Sequence, residues 1–173
     1  PGGEFESLEF TVQSGWRHFQ HPQDAMRCDA DVAAAMRDSS AATSAPNNTA
    51  PTQRSQFCLR LTAQAFTPEA ADSVAESPPV WIVSPPATVR AGEVVRISGW
   101  VNVPDDVAKG RERFIVFDSL GGENLAERFG KTKGWQRFSY CRMAPVDGEI
   151  TLTAALGGAG SAMLDDVTIE AAR

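Results

Sequence analysis

Gly92–Val103 reads GEVVRISGWVNV. Side chains along an extended strand point alternately to its two faces, so residues two apart share a face. Val95, Ile97, Gly99, Val101 and Val103 fall on one side; Arg96, Ser98, Trp100 and Asn102 fall on the other. A β-branched row backed by a polar row predicts a strand with one face in a core. The same signal recurs along the chain. QFCLRLTA (56–63) sets Phe57, Leu59 and Leu61 against Cys58, Arg60 and Thr62. PPVWIVSPP (78–86) is short, apolar and fenced by prolines. FESLEFTV (5–12), RFIVFDSL (113–120), WQRFSYCRM (135–143), GEITLTAALG (148–157) and AMLDDVTIE (162–170) also read as strands. Turn-forming stretches such as RAGE, LGGEN, KTKG and PVDGE separate them. Many short strands with Gly/Pro turns between them predict an all-β sandwich of two antiparallel sheets. Val95, Ile97, Val101, Leu59, Leu61, Phe138, Leu152, Val167 and Ile169 are the expected core.

The 173 residues suit a single domain spanning 1–173, with a long irregular loop around 36–55 rich in Ala, Ser, Thr, Asn and Pro. The stretch DVAAAMR before it reads equally as a helical turn or a short strand. Asn47–Thr49 fits the N-glycosylation pattern, which chance also produces often. Sixteen Lys and Arg against twenty-two Asp and Glu give a net charge of −6. Such a domain repels nucleic acid and anionic membranes but accepts neutral partners. No apolar run approaches the roughly 20 residues that span a bilayer. Three cysteines, Cys28, Cys58 and Cys141, make no disulfide framework, and free thiols are expected. His18 and His21 form an HxxH in WRHFQHP, beside a proline and without Cys support for a metal. No GxSxG elbow and no phosphate-cradling loop argues for catalysis.

Two aspartates in one strand pose a question, because Asp is depleted in strands. Alternation puts Asp165 on the face of Val167 and Ile169, the expected core side, and Asp166 on the solvated side. A buried carboxylate needs an arginine such as Arg60, backbone N–H groups or a metal ion.

The ordered set GEFES (3–7), Gly15–Trp16, SQFCLRL (55–61), VVRISGWVNV, GWQRFSY (134–140) and LDDVTIE (164–170) resembles carbohydrate-binding modules with the galactose-binding-like jelly-roll fold. Those modules carry an Asn-Gly-x-Phe-Glu opening, a Ser-Leu-Arg-Leu strand and a final Asp-Asp-Val strand. Here the opening Asn-Gly is Gly2–Gly3, and Cys58 stands where the serine would be. The resemblance implies a jelly roll and a structural calcium ion on Glu6 and Asp165. Calcium takes six to eight oxygens, so two carboxylates and nearby carbonyls would suit it.

The resemblance also implies a non-catalytic accessory domain of a larger secreted, periplasmic or cell-surface protein, binding a neutral poly- or oligosaccharide. The alternative is a structural or protein-interaction sandwich without a sugar site. Sugars are held by stacking on an aromatic ring and by hydrogen bonds from polar side chains. Trp100, flanked by Arg96, Ser98 and Asn102, is the expected platform, or else a ring covered by a second layer. Trp81 is a further candidate, and Asp118 and Arg113 would add hydrogen bonds if their strand neighbours that of Trp100. Trp16 and Trp135 are expected at the rim of the core.

Overall fold

The computed structural model describes residues 3–21, 25–35, 56–72, 78–104 and 114–172. The 36–55 loop, Asn47–Thr49 and Arg113 lie outside them. Two five-stranded antiparallel sheets face each other, as the alternation predicts. Sheet A holds β1 (Arg17–Gln20), β4 (Val80–Val83), β11 (Leu152–Leu156), β7 (Phe114–Asp118) and β8 (Glu127–Phe129), in that spatial order. Sheet B runs β2 (Met26–Ala34), β3 (Phe57–Ala65), β12 (Gly160–Ala171), β6 (Val94–Asn102) and β9 (Gln136–Met143). A separate pair joins β5 (Ala87–Val89) to β10 (Gly148–Ile150). This is an all-β jelly-roll sandwich.

The inner faces are the apolar rows read from the sequence. Leu59, Leu61, Val95, Ile97, Val101, Phe138 and Leu164 of sheet B meet Val80, Ile82, Phe114, Val116, Leu152 and Ala154 of sheet A. Of the expected core, Ile169 alone is only partly buried, near the end of β12. Phe129 lies 6.0 Å from Phe138, ring to ring, and so closes one open edge between the sheets. Trp16 packs edge-on against the fully buried Phe5 at 5.0 Å.

FESLEFTV is not a strand. Leu8–Gln13 forms a short helix, α1. Ser7 caps it by accepting the Phe10 N–H at 3.1 Å, and Glu9 lies in its first turn. The alternating Leu8, Phe10 and Val12 stay exposed, so the cap outweighs the period-two pattern. A second helical turn, α2 (Pro68–Asp72), follows β3, where Thr67 accepts the Ala70 N–H. Of DVAAAMR, Asp31–Ala34 continue β2 as a strand; Met36 and Arg37 lie outside the described residues.

The paired aspartates mark a β-bulge. Asp165 faces Trp100 and Thr168 faces Ser98, so Asp166 and Val167 together oppose Gly99 alone. Asp166 sits at φ +49°, in the left-handed region that Asp tolerates better than most residues. The extra residue reverses the alternation. Leu164 before the bulge and Val167 after it both point into the core. Asp165 therefore lies on the outer face beside Trp100, not on the core face. It is nonetheless buried, at 2% exposure.

The N-terminal segment joins β12 at this bulge, with Val167 N–H donating to the Gly3 carbonyl at 3.2 Å. A Cβ on Gly3 would lie 2.1 Å from the Val167 carbonyl oxygen, which is why a glycine opens the motif. Gly3→Ala is expected to detach the segment and leave Phe5 partly exposed. Proteolysis before Phe5 should then be faster than in wild type; equal rates would show the contact to be dispensable.

Candidate functional site

Around Trp100, the outer face of sheet B spends its polar groups internally. Arg96 pairs with Glu170 across β12, Nε to Oε1 at 3.1 Å. Ser98 Oγ and Thr168 Oγ1 share a hydrogen bond of 2.9 Å, and Ser98 is buried. Asn102 is buried too, and its Oδ1 accepts from Thr132 Oγ1 at 3.3 Å. Trp100 is half-buried between Asp165 on β12 and Arg137 on β9. The four residues expected to share a face do share it, yet three already hold partners in the fold.

Asp118 belongs elsewhere. Its strand β7 is in sheet A, so it does not neighbour Trp100, and its side chain points inward, fully buried. Its carboxylate accepts the Leu120 and Gly121 N–H groups and Arg142 Nε. Its oxygens are thus held by the loop amides and by an ion pair with Arg142.

Trp81 stands on the outer face of sheet A. In β4, Val80 and Ile82 are buried while Trp81 and Val83 are half-buried on the other side. Register places Phe19 on one flank of Trp81 and Ala155 on the other. The Phe19 ring lies parallel to the indole, at 5.5 Å and 11° between planes, and the Arg17 guanidinium lies 5.9 Å from the Phe19 ring. His21 tilts against the indole at 6.1 Å. Beyond Ala155 and Thr153 a cleft of about 290 Å³ opens, lined also by His21, Pro78, Phe117 and Glu123. Apolar rings beside a carboxylate, an imidazole and a hydroxyl form a surface on which a polyol can stack and bond. Its strand is apolar on both faces in the sequence, so only the packing of the two sheets shows Trp81 to be on the outer side. The roles of Phe19, Phe117, His21 and Glu123 had no local signal, because distant strands bring them together.

Asp165 has an unusual environment. Burial pushes its carboxyl up to about 7; the Asp166, Glu6 and Glu4 carboxylates push the same way, and the Asp166 N–H, donating at 2.8 Å, opposes them. Arg60 makes its ion pair with Asp31, through Nε and Nη2, rather than with Asp165. Cys58, buried nearby, is pushed up to about 12, first by burial and then by Asp165. All three cysteines are free thiols. Among the described residues no three His, Cys, Asp or Glu side chains gather as a metal would need. A calcium site here would rest on Asp165, Glu6 and backbone carbonyls. The donor chemistry fits: hard oxygens around a buried carboxyl that a cation would keep ionised.

No family model matches the chain, and no curated protein does. Solved structures do, and they are mostly carbohydrate-binding modules with this jelly roll. TmCBM61 in complex with β-1,4-galactotriose is 16% identical over 98% of this chain and 92% of its own, with a TM-score of 0.51. The CBM22-1–GH10 modules of Clostridium thermocellum xylanase 10B, complexed with xylohexaose, are 14% identical with a TM-score of 0.50. The enzymatically active domain of bacteriophage CBA120 tailspike protein 4 is 9% identical with a TM-score of 0.56. This chain spans 21% of the tailspike domain and 26% of the xylanase modules. These likenesses establish the fold. No helix among the described residues is long and apolar enough to cross a membrane.

Proposed function

We propose that this domain is a non-catalytic carbohydrate-binding module whose sheet A cleft takes a neutral poly- or oligosaccharide. The observation that carries the reading is Trp81, held upright by Phe19 at the wall of a cleft with mixed polar lining. A sugar covering about 100 Å² of ring face would gain on the order of 2.5 kcal/mol before ordering costs. Weak, nearly salt-independent binding follows from so few contacts and a neutral ligand.

The reading places the domain in a larger secreted, periplasmic or cell-surface protein. It is supported by the xylanase, in which a module of this fold is joined to a GH10 module. A structural calcium on Asp165 and Glu6 belongs to the same proposal: it would fasten the N-terminal segment to the bulge.

The test is affinity electrophoresis in xylan and galactan, with titration of xylohexaose and β-1,4-galactotriose. Trp81→Ala should weaken retention at least tenfold, and the loss of its stack with Phe19 should cost only about 1 kcal/mol of stability. Trp100→Ala should leave retention unchanged. Loss of binding with Trp100→Ala instead would move the site to sheet B. No retention of any glycan by the wild-type protein would favour the structural or protein-interaction sandwich.

A further inference from the structure

The loop that brings Glu123 to the cleft is fastened from the opposite sheet. Asp118 ends β7 inside the sandwich. Its Oδ1 accepts the Leu120 N–H at 3.0 Å and the Gly121 N–H at 2.8 Å. Its Oδ2 accepts Arg142 Nε at 2.8 Å. Arg142 comes from β9, the edge strand of sheet B. Its guanidinium crosses the open edge of the sandwich over the Tyr140 ring, 4.5 Å from the centroid. It then donates through Nη2 to the Leu125 carbonyl at 2.9 Å. One planar fork thus holds both ends of the loop 119–126, a geometry Lys cannot reproduce.

The middle of the loop is equally defined. Gly121 presses on Arg142, since a Cβ there would lie 2.8 Å from its Nε. Gly122 adopts φ +60° and ψ −170°, a conformation nearly confined to glycine. The next residue is Glu123, whose carbonyl accepts Arg128 Nη2 at 3.0 Å and which lines the cleft with Trp81.

We propose that Arg142 is a positioning residue of the cleft: through Asp118 and Leu125 it holds the 119–126 loop where Glu123 closes the cleft against Trp81. The ligand class follows from that placement. Glu123 is the one acidic residue among the described residues lining the cleft, so its carboxylate accepts from sugar hydroxyls and repels uronates. The ligand part rests on the cleft being the sugar site; the latch does not.

Arg142→Lys keeps the charge but offers one nitrogen to two separated acceptors. Amide exchange at Leu120 and Gly121 should accelerate about tenfold or more as the loop opens locally. In protein labelled with 5-fluorotryptophan, the Trp81 fluorine signal should shift while that of Trp16 stays. The dissociation constant for xylohexaose should rise about tenfold, a loss of roughly 1.4 kcal/mol, and the discrimination against glucuronate-bearing xylan fragments should narrow as Glu123 moves away. Faster exchange with an unmoved Trp81 signal and unchanged affinity would overturn the proposal and leave Arg142 a purely structural residue.

If Arg142→Lys fails to fold, Gly122→Ala gives the same readouts. A Cβ there meets nothing within 4 Å, so only the backbone is strained. If the wild-type protein takes up no xylohexaose or galactotriose, the sugar reading fails, and the Trp81 signal alone decides whether the latch positions the cleft.

Discussion

Asp118→Ala is expected to lower the melting temperature by about 6–20 °C. The carboxylate is fully buried and answers three donors at once, Arg142 Nε and the Leu120 and Gly121 amides. Removing it leaves a largely buried guanidinium, with 18% of its side chain exposed, and two amides without their acceptor. Breaking one side of a buried pair costs about 3–5 kcal/mol, and a protein of this size loses about 2–4 °C per kcal/mol. Arg142→Ala should cost a similar amount from the other side, by stranding the Asp118 charge. The double variant should then cost clearly less than the sum of the two, since neither charge is left alone. Calorimetry of the three variants checks this. Additive losses would mean that the pair is not coupled and that Asp118 acts through its loop amides alone.

The second large effect is a dependence of stability on pH set by Asp165. Its folded carboxyl titrates near 7, raised chiefly by burial, against about 3.9 in an unfolded chain. At pH values below both, each state holds the proton and the group contributes nothing. Above pH 4 the unfolded state gives up its proton first, so stability falls as the pH rises and stops falling just above 7. The total is up to about 4 kcal/mol.

In chelator the wild-type protein should therefore melt lower at pH 8 than at pH 5, and Asp165→Asn should remove that part of the slope. The groups around it are Glu4 and Glu6 on the N-terminal segment, Asp166 on its own strand and Cys58 on β3. Calcium, on the proposed reading, reverses the sign, because a cation favours the ionised form. Added calcium should then raise the melting temperature most above pH 7, and Asp165→Asn should abolish the rise. A calcium-independent melting curve that still falls with pH would leave Asp165 a buried carboxyl without a metal role.

The strands from β3 onward were largely legible in the sequence because alternation is a local property. Each residue in GEVVRISGWVNV declares its face relative to its neighbours, whatever the strand packs against. Alternation misplaced Asp165: it put the residue on the core face, whereas the structure buries it on the outer face beside Trp100. The bulge lies in the pairing with β6, which is some sixty-five residues away in the chain. Only that pairing shows that the alternation changes phase at Asp166.

The capped helix at Leu8–Gln13 was misread because its bulky residues happen to alternate while Ser7 supplies a competing local bond. The proposed binding face needed the tertiary structure most of all. In the sequence Trp100 lies on the polar side of its strand, whereas the strand of Trp81 is apolar on both faces. Sheet assignment separates them: sheet B pairs Arg96, Ser98 and Asn102 with its own residues, whereas sheet A gathers Phe19, Phe117, His21 and Glu123 around Trp81. Which polar groups a fold has already spent depends on contacts between remote segments, and those exist only once both sheets have formed.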